Sequence, residues 1–135
     1  MALVFNQRSI DVKYLAGVLI PLMLVSPYAG AHAFPEKAIP GAQKILDSSP
    51  PSIRVWFNSE LEPDLSSLVV TNAKGERVST ANSTVDTKDP TLLTLALPPL
   101  PPLPPGEYEV HWQVVGHDGH LTQGFYVFTI SPGKK

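Results

Sequence analysis

The stretch EYEVHWQVV, residues 107–115, alternates polar and apolar side chains along its whole length. In an extended chain Tyr108, Val110, Trp112 and Val114 project to one side, and the polar residues between them project to the other. A period of two is typical of a strand that packs one face on a core and turns the other face to water. The stretch therefore predicts a β-sheet protein.

Other apolar stretches have the length and composition of strands. They are SIRVWF (residues 52–57), SLVVT (67–71), TLLTLAL (91–97) and FYVFTI (125–130). Turn signals separate them, namely NAKGE (72–76), TKDP (87–90) and PPGE (104–107). No segment shows sustained helical periodicity. Short strands at this spacing predict an all-β fold, a small Greek-key β-sandwich of the cupredoxin or immunoglobulin-like kind.

The run LPPLPPLPPGEY, residues 97–108, is rich in proline from Pro98 to Pro105. Such a run resembles a ligand for proline-binding domains. Those domains are mostly intracellular, so we interpret the run as a stiff connector between strands. Because proline cannot donate to a sheet ladder, the connector also limits pairing at a sheet edge.

The start of the chain has the pattern of a secretory signal peptide. Arg8 and Lys13 precede the apolar run YLAGVLIPLMLV, residues 14–25, and the small residues YAGAHA follow it. A basic start, a short apolar segment and an A-x-A site indicate cleavage on export. The apolar run is shorter than the roughly 20 residues that span a bilayer. We therefore predict a cleaved signal at residues 1–31 and one periplasmic domain at residues 32–135.

The cleavage position decides which residue begins the mature chain. With Ala29 and Ala31 at the −3 and −1 positions, the mature chain begins at His32 and carries a free α-amine there. A cut after the next A-x-A site would remove His32 and leave Phe34 at the start. We predict the first cut, and the second stays open.

The composition of residues 32–135 excludes several functions. They contain 8 Lys and Arg against 11 Asp and Glu, a net charge of −3, whereas nucleic-acid binding asks for a basic face. The chain has no cysteine, so neither a disulfide framework nor a thiolate metal site can form. Both methionines, Met1 and Met23, belong to the predicted signal. A soft copper(I) site therefore has no ligands in this domain.

The stretch GHDGH, residues 116–120, adds two imidazoles and a carboxylate directly after the first quoted strand. In an extended backbone Asp118 and His120 point together and His117 points away. An N-terminal His32 would add its amine and its ring nitrogen, giving three nitrogens and one oxygen, a set that suits tetragonal Cu(II). Zinc accepts similar ligands in a tetrahedral arrangement. Taken alone, the stretch is equally a polar surface turn.

From His32 onward the chain resembles the CopC-like periplasmic copper-resistance (copper-binding) family. HAFPEKAIP, residues 32–40, has the leading histidine of that family and a later proline. IRVWFNSELEP, residues 53–63, is similar to its strand ending in Phe-Ser-Glu. LPPGEYEVHWQVVGHDGHLTQGFYVFTI, residues 103–130, resembles its most characteristic block, with Pro-Gly-x-Tyr, a strand containing Trp, and Asp-x-His.

The resemblance implies a cupredoxin-like β-sandwich that holds one Cu(II) ion per mature chain. It implies that His32 binds through amine and ring, together with Asp118 and His120, and that Glu60 stands beside these ligands or makes a weak axial contact. The implied function is copper homeostasis or resistance, without enzymatic activity, by sequestering copper or delivering it to a CopD-like inner-membrane importer. The methionine-rich loop of some members is missing here, and the proline run is longer.

Two other functions compete with copper binding. An N-terminal histidine also holds copper in oxidative polysaccharide-cleaving enzymes, which need an open position on the metal for oxygen. An anionic ligand such as Asp118 and the small size of the domain count against such an enzyme. The other alternative is a metal-free immunoglobulin-like interaction module, in which GHDGH is only a loop.

Overall fold

The computed structural model describes residues 32–133. The signal peptide predicted at residues 1–31 lies outside the described residues, as do the last two lysines of the predicted domain. Within residues 32–133 the regular structure consists of eight strands and one 3-10 helix, Pro63–Leu65. No helix in this range is long and apolar enough to cross a membrane. The all-β prediction is confirmed.

The strands form two four-stranded sheets that enclose a common core. In order across the first sheet lie β1 (Pro35–Ile39), β3 (Ser52–Phe57), β6 (Leu92–Ala96) and β5 (Thr84–Val85). In order across the second sheet lie β2 (Ile45–Leu46), β8 (Leu121–Ile130), β7 (Gly106–Val115) and β4 (Ser67–Asn72). Neighbouring strands are antiparallel, except that β2 runs parallel to β8. The arrangement is the predicted β-sandwich.

The longest ladder joins β7 and β8, from the pair Gly106 and Ile130 to the pair Val115 and Leu121. The alternation of the first quoted stretch is preserved, because Val110 is buried in the core while Glu109 beside it is only half-buried. β7 lies between β8 and β4, so this strand is interior to its sheet. The pattern EYEVHWQVV thus marks a central strand, as predicted.

Trp112 on β7 is half-buried, and its indole ring lies against Gly124, the residue paired with it on β8. A Cβ placed on Gly124 would fall 2.5 Å from the indole ring, well inside ordinary contact distance. The indole also meets Phe57 of the opposite sheet edge-on, with ring centroids 5.7 Å apart. The close approach of the tryptophan therefore explains a glycine in the middle of a strand.

The core between the sheets is apolar. Its largest fully buried side chains are Phe57, Phe128, Ile53, Leu68, Leu93, Leu95, Val55, Val70, Val110 and Val114. The ring of Tyr108 stacks on that of Phe128, with centroids 5.5 Å apart, and its hydroxyl donates to the carbonyl of Pro104. Burial raises the pKa of Tyr108, so the hydroxyl keeps its proton and stays a donor.

The proline-rich segment between β6 and β7 passes from the first sheet to the second, as predicted for a connector. It inserts Leu103 into the core, and the N–H of Leu103 donates to Ser49 Oγ at 3.2 Å. Leu100, three residues earlier, is 84% exposed. Prolines of this segment lie beside Pro50 and Pro51, and together they line a groove on the surface.

Three short strands escape prediction from the sequence. The side chains of β1 are almost all exposed, so no apolar alternation marks this edge strand. β2 and β5 contain two residues each, too few for any period to show. All three are nevertheless paired with longer strands that the pattern does predict.

Three chain segments meet at one end of the sandwich. They are the residues before β1, the loop that follows β3, and the β7–β8 turn at residues 116–120. Leu61 forms an isolated bridge with Gly116, and the N–H of Glu62 donates to the carbonyl of Val115 at 2.8 Å. The N–H of His117 donates to the carbonyl of Glu60 at 2.9 Å. These backbone bonds fix the turn against the loop.

Candidate metal centre

His32, Asp118 and His120 come together at this end of the sandwich. One ligand atom from each of them lies within 4.8 Å of the others. Asp118 Oδ2 is 3.6 Å from His32 Nδ1 and 3.0 Å from His120 Nδ1. The two imidazole rings meet edge-on, with centroids 4.8 Å apart. The cluster joins the start of the described chain to a turn near its end.

Asp118 and His120 approach each other through a turn, and the extended geometry expected from the sequence is wrong. Residues 117–119 form the turn, in which Gly119 has a φ of 78°, a left-handed conformation that suits glycine. Asp118 Oδ1 accepts the N–H of His120 at 3.0 Å, while Oδ2 meets the ring of the same residue. A local hydrogen bond of the Asx type thus replaces strand alternation as the cause of the pairing.

Hydrogen bonds and charge stabilise the ionised form of Asp118. Its pKa lies below the ordinary value, chiefly because the carboxylate accepts the backbone N–H of His120. A hydrogen bond from the His120 ring and the charges of His120 and His32 act in the same direction, while desolvation opposes them. The carboxylate is therefore ready to bind a cation at neutral pH.

The segment after His32 is fixed to both sheets. Ala33 is fully buried, and its methyl group would lie 3.4 Å from a Cβ added to Gly116. The hydroxyl of Thr122 on β8 donates to the carbonyl of Ala33 at 2.6 Å. The N–H of Phe34 donates to Asn58 Oδ1 at 2.7 Å, at the end of β3. The alternation pattern gave no sign of Thr122 or Asn58.

The remaining residues singled out in the sequence lie outside the cluster. The ring of His117 is 80% exposed, and its nearest acidic partner is Glu62, with Nδ1 and Oε1 3.9 Å apart. Glu60 contributes its backbone carbonyl to the turn, and its carboxylate is not one of the clustered ligand atoms. His111 Nε2 lies 2.9 Å from Glu109 Oε2 on the outer face of β7.

Two of the separations in the cluster, those from the Asp118 carboxylate to the two rings, are close to what ligands of a single metal ion require. Ligands about 2 Å from an ion stand about 3 Å from each other when the angle between them is close to a right angle. The distances of 3.0 and 3.6 Å around Asp118 Oδ2 are close to that separation. Two imidazole nitrogens and one carboxylate oxygen are borderline to hard donors, which suit Cu(II) or Zn(II).

The fold is thus a small two-sheet β-sandwich with a His-Asp-His cluster at one end. The model of the CopC domain family matches residues 36–131, a range that includes Asp118 and His120 and begins after His32. The chain belongs to the CopC domain family. The resemblance noted in the sequence and the predicted fold are both confirmed.

Two relatives illustrate the range of this family. Protein YobA of Escherichia coli (strain K12) is 31% identical over 120 residues, which cover 89% of this chain and 94% of YobA. The copper transport protein CutJ of Bacillus subtilis (strain 168) is 29% identical over 113 residues, which cover 84% of this chain and 20% of CutJ. The same domain thus occurs both as nearly a whole protein and as part of a longer one.

Two solved structures share the fold. CopC from Methylosinus trichosporium OB3b superposes with a TM-score of 0.71 at 31% identity, covering 77% of this chain and 98% of that protein. PcoC, a methionine-rich copper resistance protein from Escherichia coli, gives a TM-score of 0.60 at 26% identity, covering 74% and 99%. Among these relatives are a copper resistance protein and a copper transport protein. Membership in this family confirms the prediction that the chain is not an enzyme.

Proposed function

We propose that the mature protein begins at His32 and binds one Cu(II) ion in the periplasm. The ligands are the α-amine and ring of His32, the carboxylate of Asp118 and the ring of His120. The observation that carries the proposal is the cluster itself, in which ligand atoms of residues from opposite ends of the domain's sequence lie within 4.8 Å of one another. Nδ1 of His32 faces Asp118, and this is the ring nitrogen that can close a chelate with the amine.

The donor set favours copper in its oxidised state. Three nitrogens and one oxygen suit a tetragonal ion, and Cu(II) stands at the top of the affinity order of the divalent first-row metals. Residues 32–133 contain neither methionine nor cysteine, the soft ligands that stabilise copper(I). Reduction of the bound ion would therefore weaken its attachment.

The surroundings of the site favour the approach of a cation. Glu60 and Glu62 lie in the loop that follows β3, beside the turn that carries Asp118, and Asp64 follows in the 3-10 helix. Neither residues 58–68 nor residues 113–124 contain a lysine or an arginine. Carboxylates without compensating cations raise the local concentration of positive ions. In this proposal Glu60 contributes to that field and makes at most a weak axial contact.

Copper held in this way is either sequestered or passed to a membrane partner. The family resemblance points to a CopD-like inner-membrane importer as that partner. The match to part of the copper transport protein CutJ supports a link between this domain and transport. The predicted signal peptide at residues 1–31 would bring the protein to the compartment where such a partner exposes its outer face.

Titration of exported, processed protein with Cu(II) tests the proposed function. We expect one ion per chain and a spin-resonance spectrum of tetragonal type with splitting from several nitrogens. The mass of the same preparation should correspond to a chain that starts at His32. A mass that corresponds to a start at Phe34, or a spectrum identical to that of copper in buffer, would rule out the proposed site.

The pH dependence of copper binding distinguishes the nitrogen ligands from the carboxylate. Because the pKa of Asp118 is lowered, this group is already ionised in the range where imidazoles usually titrate. As the pH falls below neutrality, protons compete for the nitrogens, and the affinity should drop by about tenfold per pH unit for each proton displaced. Asp118→Asn should lower the affinity while leaving the steepness of this drop unchanged. A shallower drop in the variant would show that the carboxyl group itself titrates there.

A further inference from the structure

One peptide group next to His32 is held at both of its ends. The carbonyl of Ala33 accepts the hydroxyl of Thr122 at 2.6 Å. The N–H of Phe34 belongs to the same peptide group and donates to Asn58 Oδ1 at 2.7 Å. Thr122 stands on β8 in the second sheet, whereas Asn58 directly follows β3 in the first sheet. The peptide is therefore fixed between the two layers of the sandwich.

Backbone bonds and packing remove most of the remaining freedom at this point. The N–H of Asn58 donates to the carbonyl of Phe34 at 3.0 Å, so the backbone of the next residue is held as well. The methyl group of Ala33 is fully buried in the core. Only the rotations of Ala33 and His32 themselves separate the fixed peptide from the amine and ring of His32.

We propose that Thr122 and Asn58 are positioning residues: by fixing the second peptide group of the mature chain, they present His32 to the other two ligands. This inference rests on the proposed function, since it concerns the same copper ion. A chain terminus is ordinarily free to move, and ordering it on metal binding would cost affinity. Here folding orders the terminus before the ion arrives.

The turn and Thr122 are close together in the chain. Thr122 follows His120 by two residues at the start of β8, so the hydroxyl that holds Ala33 moves with the turn that carries Asp118 and His120. The bond consequently keeps the distance between His32 and this turn constant. A side chain that packed Ala33 without the hydrogen bond would leave this distance less well defined.

A matched bond exists at the other end of β1. The hydroxyl of Tyr126, also on β8, donates to the carbonyl of Pro40 at 2.9 Å. Tyr126→Phe thus removes the same kind of bond between the same parts of the chain, far from His32. It is the control for any general loosening of β1 from β8.

The test compares Thr122→Val, Thr122→Ser and Tyr126→Phe in exported, processed protein whose first residue is verified by mass. A net hydrogen bond is worth about 0.5–1.5 kcal/mol, so we expect Thr122→Val to weaken Cu(II) binding by about threefold to tenfold. Its spin-resonance spectrum should show a second species with fewer nitrogens. Thr122→Ser retains the hydroxyl and should bind like the parent, as should Tyr126→Phe.

A measurement without copper separates this inference from the proposed function. In metal-free protein, hydrogen exchange at the Phe34 amide should be faster in Thr122→Val than in the parent and unchanged in Thr122→Ser. If the parent failed to bind copper while this difference persisted, the proposed function would be wrong and the fixing of the peptide would stand. Equal copper affinity and equal exchange in parent and Thr122→Val would overturn the inference, as would equal weakening by Tyr126→Phe.

Asn58→Ala provides a second variant if Thr122→Val does not fold. The side chain of Asn58 is exposed, so its removal leaves the core intact while freeing the Phe34 N–H. We expect a similar loss of copper affinity and the same mixed spectrum. Binding and spectrum identical to those of the parent would overturn the role assigned to Asn58.

Discussion

Protein that carries one extra residue before His32 is expected to lose most of its affinity for Cu(II). The extension converts the α-amine into an amide nitrogen, and the amide does not bind the ion without losing its proton. His32→Ala should have an effect of the same order, because it removes the ring. Four-ligand structural zinc sites are worth about 10–16 kcal/mol, so one ligand contributes about 3 kcal/mol and its loss weakens binding by about 100-fold or more.

The extended protein tests the contribution of the α-amine of His32 alone, because the rest of the site is the same as in the parent. Its ring at His32, its fold and its net charge at the turn are unchanged, so thermal unfolding of the metal-free form should match that of the parent. Competition with a chelator of known affinity measures the loss. Equal affinity in the extended and parent proteins would exclude the free amine as a ligand.

His120→Ala is expected to weaken copper binding by about 100-fold, again one ligand's share. The backbone N–H that Asp118 accepts survives this substitution, so the carboxylate should keep its place and only the ring is lost. His117→Ala is the matched control, since it removes an even more exposed imidazole from the same turn. Its ring lies beside Glu62 and not beside Asp118, so we expect less than a twofold change.

The same chelator competition measures both variants, and nitrogen splitting in the spin-resonance spectrum counts the bound rings. His120→Ala should lose one nitrogen and His117→Ala none. If His117→Ala caused the larger loss of affinity, the ring of His117 would have to be one of the copper ligands. Such a result would contradict the distances in the cluster.

Alternation along the strands predicts the large features of the fold. EYEVHWQVV, SIRVWF and FYVFTI all lie in strands, and β3 has the predicted bounds, Ser52–Phe57. β8 begins four residues earlier than predicted, at Leu121, because LTQG has too few apolar residues to show a strand. Pairing with β7 supplies its backbone bonds instead. Edge strands whose side chains face solvent are likewise fixed by partners far away in the sequence.

The candidate site was only partly predictable for a related reason. Asp118 and His120 are close in the sequence, but their residue types alone fit a polar surface turn as well as a metal ligand pair. The predicted cleavage site made His32 a candidate third ligand residue, and the resemblance to the CopC-like family favoured the metal site. Thr122 and Asn58 make bonds from side chain to backbone across the domain, and such bonds follow no period and require no special residue type. They become visible only when both sheets are in place.

The fixed peptide between the two sheets has a consequence for the stability of the whole sandwich. His32 lies just before β1 of the first sheet, while Asp118 and His120 lie in the turn between β7 and β8 of the second sheet. A cation coordinated by all three residues would cross-link the two sheets at this end of the sandwich. The denatured chain cannot assemble these donors, so occupancy would shift the melting curve upward by mass action. Copper binding would then stabilise the fold, and release of the ion would make the two sheets easier to separate at this end of the sandwich.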